Sequence, residues 1–193
     1  MDKNSLNKKS LFIILIGLIC GCQQQIKLAR VDVQTLANKN LSCVEHADIR
    51  TLSGTSLSPM LLPDDQLLFL GGYYKCNSIK KGDLVLYRWG DKKNVAKFVR
   101  GMAGDILTVE EISPDQWRLE LNGQPLHNST GAEYILSEQK AALIRLYARK
   151  IKLNEVLLLG DKSNGSHDST VFGLVNTSQL SGKLIPLAHS SSH

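Results

Sequence analysis

Three stretches of this chain combine residue types that could do chemistry together. The first is residues 53–65, Ser-Gly-Thr-Ser-Leu-Ser-Pro-Met-Leu-Leu-Pro-Asp-Asp, which crowds small hydroxyl residues, a glycine and two prolines into a turn-prone run. The apolar run Leu67-Leu68-Phe69-Leu70 follows at once. A serine on a tight polar turn beside a buried strand can be held with its oxygen exposed and backbone N–H groups aimed at one point. That is what a nucleophile with an oxyanion hole requires. By itself the stretch reads equally as a plain turn. The second stretch centres on Lys97, which sits among Val95, Ala96, Phe98, Val99 and Met102. A lysine acts as a base only when its charged form is disfavoured, and burial alone lowers a lysine pKa by up to about 3–5 units. The third stretch is the polar loop 160–169, Gly-Asp-Lys-Ser-Asn-Gly-Ser-His-Asp-Ser.

The elements that must position these stretches read as short strands separated by glycine turns. Residues 67–70, 84–87, 95–100 and 106–109 form four apolar or alternating runs. Residues 117–121 alternate as a half-buried strand and lead into Asn122-Gly123, the strongest two-residue hairpin signal. Residues 139–152 mix alanine, leucine and basic residues so evenly that helix and strand fit equally. An apolar strand at 156–159 runs into the third stretch. Residues 173–175 and 184–187 read as a terminal strand pair. The fold class is therefore mostly β, an antiparallel sheet or barrel-like arrangement.

With 193 residues, 42% of them hydrophobic, the chain suits one globular domain with a real core. Its net charge of +5 is scattered, with no basic stripe and few aromatics, which argues against nucleic acid as a partner. The histidines at 46, 127, 167 and 189 fall in no metal-ligand spacing and the cysteines form no zinc pattern, so no metal or other cofactor is expected. His167 is expected to face solvent.

Residues 1–22 are a separate object. Lys3, Lys8 and Lys9 precede a short apolar run over 11–22, and Gln23-Gln24-Gln25 ends it abruptly. This is the pattern of an export segment. Leu18-Ile19-Cys20-Gly21-Cys22 resembles a bacterial lipobox, which implies lipidation at Cys22; an uncleaved signal anchor stays open as the alternative. Either way the body of the chain lies outside the cytoplasm. Residues 23–44 read as a polar stalk, 45–189 as the folded domain and 190–193 as a tail. In an oxidising compartment Cys43 and Cys76, which flank the serine stretch, are a plausible disulfide, with two unpaired buried thiols as the alternative.

Taken together, the three stretches resemble the boxes of type I signal peptidases. Ser56-Leu57-Ser58-Pro59 is similar to the family's Ser-Met-x-Pro. Residues 97–105 are similar to its Lys-Arg-x-x-Gly-x-Pro-Gly-Asp, and Gly160-Asp161 through Ser166, Asp168, Ser169 and Gly173 to its Gly-Asp-Asn-x-x-x-Ser-x-Asp-Ser-Arg. The resemblance implies a Ser–Lys dyad on the β-rich signal-peptidase catalytic fold, with Ser56 as nucleophile and Lys97 as general base. It implies that Ser166 hydrogen-bonds and orients the lysine, and that Asp161 and Asp168 are structural carboxylates. Gly54 stands where many members place a second oxyanion-hole serine, so the hole would rest on backbone donors such as the Ser56 N–H. The implied partners are signal-peptide-bearing exported proteins and the membrane.

The departures are Leu57, Asp64, Phe98, Ala103, Lys162 and Thr170. They imply a divergent member, similar to compact peptidases dedicated to one substrate, such as those processing conjugative pilins. Because Phe98 and Thr170 replace two arginines, Arg100 is expected to supply the missing charge to Asp168. Two other functions compete. A self-cleaving repressor would share the dyad but conflicts with the export segment. A catalytically silent lipoprotein serving a secretion or conjugation apparatus would fit the eroded boxes.

Overall fold

A computed structural model describes residues 40–90, 93–162 and 165–187. The export segment, Cys22, most of the stalk, His189 and the tail lie outside the described residues. Among the described residues no helix is long and apolar enough to cross a membrane.

Residues 40–186 form one compact unit built on two antiparallel sheets. Among the described residues eleven strands follow in chain order: β1 His46–Thr51, β2 Gln66–Gly71, β3 Leu84–Trp89, β4 Lys93–Gly101, β5 Leu107–Ser113, β6 Gln116–Leu121, β7 Gln124–Pro125, β8 Ile135–Leu136, β9 Glu155–Leu159, β10 Val175–Asn176 and β11 Leu180–Pro186. The larger sheet has seven strands in the order β1-β2-β11-β3-β4-β9-β10. The smaller joins β5, β6 and β7, with β8 also paired to β6.

Alternation explains why the central strands read as unbroken apolar runs. Leu84 and Leu86 of β3 pack with Phe98 and Leu57, while Val85 and Tyr87 pack with Val99 and Leu158. Both faces of the larger sheet are buried there. Leu157 and Leu159 of β9 join the core of the smaller sheet, with Trp117, Leu119, Leu121, Tyr134 and Ile144. The Lys97 strand and the loop after β9 thus start from rigid, packed elements.

Asn122 and Gly123 turn with φ of 57° and 73°, the paired left-handed conformations of a two-residue hairpin. The ambiguous run 139–152 divides: Glu138–Arg145 is helical, whereas Lys150 bridges to Ile106 in extended conformation. The expected terminal strand pair does not form. Val175 pairs with Val156 of β9, and β11 inserts between β2 and β3. β10 is only two residues long and offers the seven of β11 little to pair with, whereas β2 and β3 each offer six mostly apolar residues.

Cys43 and Cys76 are joined by a disulfide with Cα atoms 5.8 Å apart. It clasps the start of β1 to the turn after β2. This matters because β1 is an edge strand and leads directly into the serine turn.

Candidate active site

The serine turn is held as a closed loop. Leu52 N donates to Asp65 O at 2.9 Å and Asp64 N to Leu52 O at 2.8 Å, which ties its two ends. Asp65 Oδ2 accepts from Leu62 N at 2.8 Å. Leu57, fully buried, anchors the middle of the loop in the core. Asp64 adopts φ 71°, a conformation that aspartate tolerates better than most residues. Among the described residues nothing accepts from the Ser56 N–H. Gly54 is exposed, with open space where a Cβ would stand.

Lys97 enters from β4 and is only 3% exposed. Its Nζ lies 2.6 Å from Ser56 Oγ and 3.0 Å from Ala96 O. Burial lowers its pKa to about 8, against a smaller opposing pull from the Asp168 charge. A charged Lys97 donates to Ser56 Oγ; a neutral one accepts its proton.

Gly160 is the hinge of the site. The register that pairs Phe98 with Leu159 sets Gly160 opposite Lys97. A Cβ on Gly160 would stand 2.4 Å from both Ser56 O and Ser166 Oγ. Neither atom can retreat cheaply, since one is backbone and the other is buried. Gly160→Ala should therefore displace Ser56 from Lys97 and cut cleavage by roughly a hundredfold. Circular dichroism should show the β content kept, and wild-type turnover in this variant would overturn the assignment.

Two expected contacts differ in the structure. Ser166 is buried beside Gly160, but its Oγ has no hydrogen-bond partner among the described residues and does not reach Lys97. The bonds of Lys97 Nζ run instead to Ser56 and to its own strand. Arg100 does not pair with Asp168. Asp168 caps the short helix Ser169–Phe172, with Oδ1 accepting from Thr170 N at 3.0 Å and Thr170 Oγ1 at 2.7 Å. Its Oδ2 accepts from Gly160 N at 3.1 Å. Thr170 thus satisfies the carboxylate by hydroxyl and amide rather than by charge.

Arg100 goes to Asp161 instead. Its Nη2 donates to Asp161 Oδ1 at 2.5 Å, and its guanidinium stacks 4.7 Å from the Phe98 ring centroid. Residues of the connection between β7 and β8 reach the same loop. Ser129 donates to Asp161 Oδ1 from N at 3.1 Å and from Oγ at 3.0 Å, and Asn128 Nδ2 donates to Asp161 O at 2.9 Å. Tyr134 OH donates to Gly160 O at 2.9 Å, and burial pushes its pKa to about 12, which keeps it a donor. Beyond this cage, Lys162 N donates to Ser56 O at 3.1 Å. Asn128, Ser129 and Tyr134 were not among the sequence candidates. They fall in a polar hairpin with no chemical signature, and only the Asn128-Ser129-Thr130-Gly131 turn composition marks the place.

His167 does not face solvent freely. It is half-buried, its ring 4.3 Å from that of Trp89. Among the described residues no group of three or more His, Cys, Asp or Glu side chains could hold a metal ion. A groove of about 670 Å³, lined by Tyr74, Met102, Leu153 and Val156 among others, contains none of these site residues.

The model of the family described as "Signal peptidase, peptidase S26" matches residues 34–187. The chain belongs to that family. It is similar to a signal peptidase I from Leptolyngbya laminosa, 26% identical over 146 residues, spanning 72% of this chain and 67% of the relative. It is also similar to a solved signal peptidase I from Enterococcus faecalis, with a TM-score of 0.41 and 19% identity over 55% of this chain and 97% of that one. Membership makes this a protein of the signal-peptide-cleaving serine peptidases.

Proposed function

We propose that this signal peptidase family member is a membrane-attached serine endopeptidase that removes leader peptides from exported proteins, with Ser56 as nucleophile and Lys97 as general base. One observation carries the reading: Lys97 Nζ stands 2.6 Å from Ser56 Oγ while burial holds its pKa to about 8. Neutral Lys97 takes the Ser56 proton as Oγ adds to the scissile carbonyl. The Ser56 N–H faces the developing oxyanion. The lysine then returns its proton to the leaving amine. Water, deprotonated by the same lysine, releases the acyl group from Ser56. The catalytic domain works on the outer face of the membrane, attached through residues 1–22 by a lipid on Cys22 or by an uncleaved anchor. The departures from the family boxes favour a dedicated substrate, as in conjugative transfer.

The test is cleavage of a panel of exported precursors carrying small residues before the cut, by the full chain in detergent, from pH 6 to 10. Lys97 must be neutral to act, so the rate should rise with pH through a midpoint near 8 and then level off. A rate still climbing at about pH 10 would mean a hydrated lysine and sink the dyad. No cleavage of any precursor would leave the silent binding component as the better reading.

A further inference from the structure

The cage around Asp161 reaches the reacting atoms through a short relay. Asp161 is buried, and Arg100 offers it one nitrogen only: Arg100 Nε and Asp161 Oδ2 are both buried without a hydrogen-bond partner. Ser129 supplies two of the three hydrogen bonds that Asp161 Oδ1 accepts, from N and Oγ, and its Oγ also accepts from Arg100 Nη2 at 2.6 Å. Asn128 holds the carbonyl of the same residue, while its own Oδ1 accepts from Thr130 N, Thr130 Oγ1 and Ala132 N at 2.8–3.0 Å. That network makes the turn rigid. The segment it grips has Gly160 against Ser56 at one end and the Lys162 N–H on Ser56 O at the other.

We propose that Asn128 and Ser129, in the turn of the smaller sheet, are positioning residues for the Ser56–Lys97 pair, acting through Asp161 and the segment from Gly160 to Lys162. The inference rests on the peptidase reading above and extends it to a second sheet. The physical reason is that a buried carboxylate bonded through Oδ1 alone can spare none of those bonds. Without the Ser129 hydroxyl, Asp161 keeps one arginine nitrogen and one amide, and the segment shifts to hydrate it. Ser56 O then loses the Lys162 amide, and water reaches Lys97. Ser129 is solvent-exposed as a residue, so removing its hydroxyl leaves the core untouched.

The experiment uses the full chain as Ser129→Ala, Asn128→Ala and Ser129→Thr. Lysine-labelled NMR follows the titration of Lys97, assigned by the signal missing from Lys97→Met, alongside precursor cleavage. Both alanine variants should lower kcat about tenfold with KM little changed, and raise the Lys97 midpoint by about one pH unit. Ser129→Thr, which keeps the hydroxyl, should restore both. An unchanged midpoint and kcat in the alanine variants overturn the inference alone. So does a fall in kcat that tracks lost thermal stability while the midpoint stays fixed. A wild-type midpoint near the ordinary 10.5 overturns the peptidase reading itself.

Discussion

Ser56→Ala and Lys97→Ala should each lower kcat/KM by about 10⁴-fold or more, and the double variant should be no worse than the poorer single one. The two side chains form one reacting unit, 2.6 Å apart. A serine hydroxyl without its base is a weak nucleophile, and a base without its nucleophile has no proton to take. Removing the second partner therefore loses nothing more. Lys97→Arg should be as damaging as Lys97→Ala, because a guanidinium does not deprotonate in this range. The measurement is single-turnover cleavage of one precursor by all four variants at pH 9, where wild-type Lys97 is mostly neutral. Substantial cleavage by Lys97→Ala would return the role of base to another group. Additive losses in the double variant would mean that the two residues act independently.

How far the sequence discloses this site depends on which interactions are local. Strands β2, β3, β4, β6 and β9 were legible because their apolar residues cluster between glycine turns. The Asn122-Gly123 hairpin was legible because its dihedrals follow from the residue types. Strand β1 was not: His46-Ala47-Asp48-Ile49-Arg50-Thr51 is mostly polar and is specified by its ladder to β2 rather than by its own pattern. The placement of β11 between β2 and β3 was hidden for a related reason, since pairing partners distant in sequence leave no periodic trace.

The charge relay shows the same limit at the level of one residue. Alternation correctly put Arg100 and Phe98 on one face, yet the carboxylate that Arg100 meets is Asp161, not Asp168. Two loop aspartates seven positions apart look equally needy on paper. The helix cap decides between them: Thr170 and the Gly160 amide satisfy Asp168, which leaves Asp161 for the arginine. Ser129 and Asn128 were missed because their part is assigned by a hairpin folding onto another sheet's loop.

The second large effect is on stability, and its sign is opposite to that on activity. Lys97→Met should abolish cleavage and yet stabilise the protein by about 2 kcal/mol at pH 7. Burial holds Lys97 at about 8 against an ordinary 10.5. Below pH 8 the lysine is charged in both the folded and unfolded states, and the folded state bears the full desolvation cost. At about 1.4 kcal/mol per pKa unit this is about 3 kcal/mol. Between pH 8 and 10.5 the unfolded chain binds more protons than the folded one, so wild-type stability rises with pH and the penalty fades. Methionine fills a similar volume without a charge, but it gives up the bonds to Ser56 Oγ and Ala96 O, worth about 1 kcal/mol net. The advantage of Lys97→Met should therefore be largest below pH 8 and vanish or reverse near pH 10.5. Guanidinium unfolding of both proteins at pH 7 and pH 10.5 measures it. An advantage independent of pH would trace the gain to packing instead of charge. A methionine variant less stable than wild type at pH 7 would mean that the charged lysine is well solvated, and the low pKa that the mechanism needs would be lost with it.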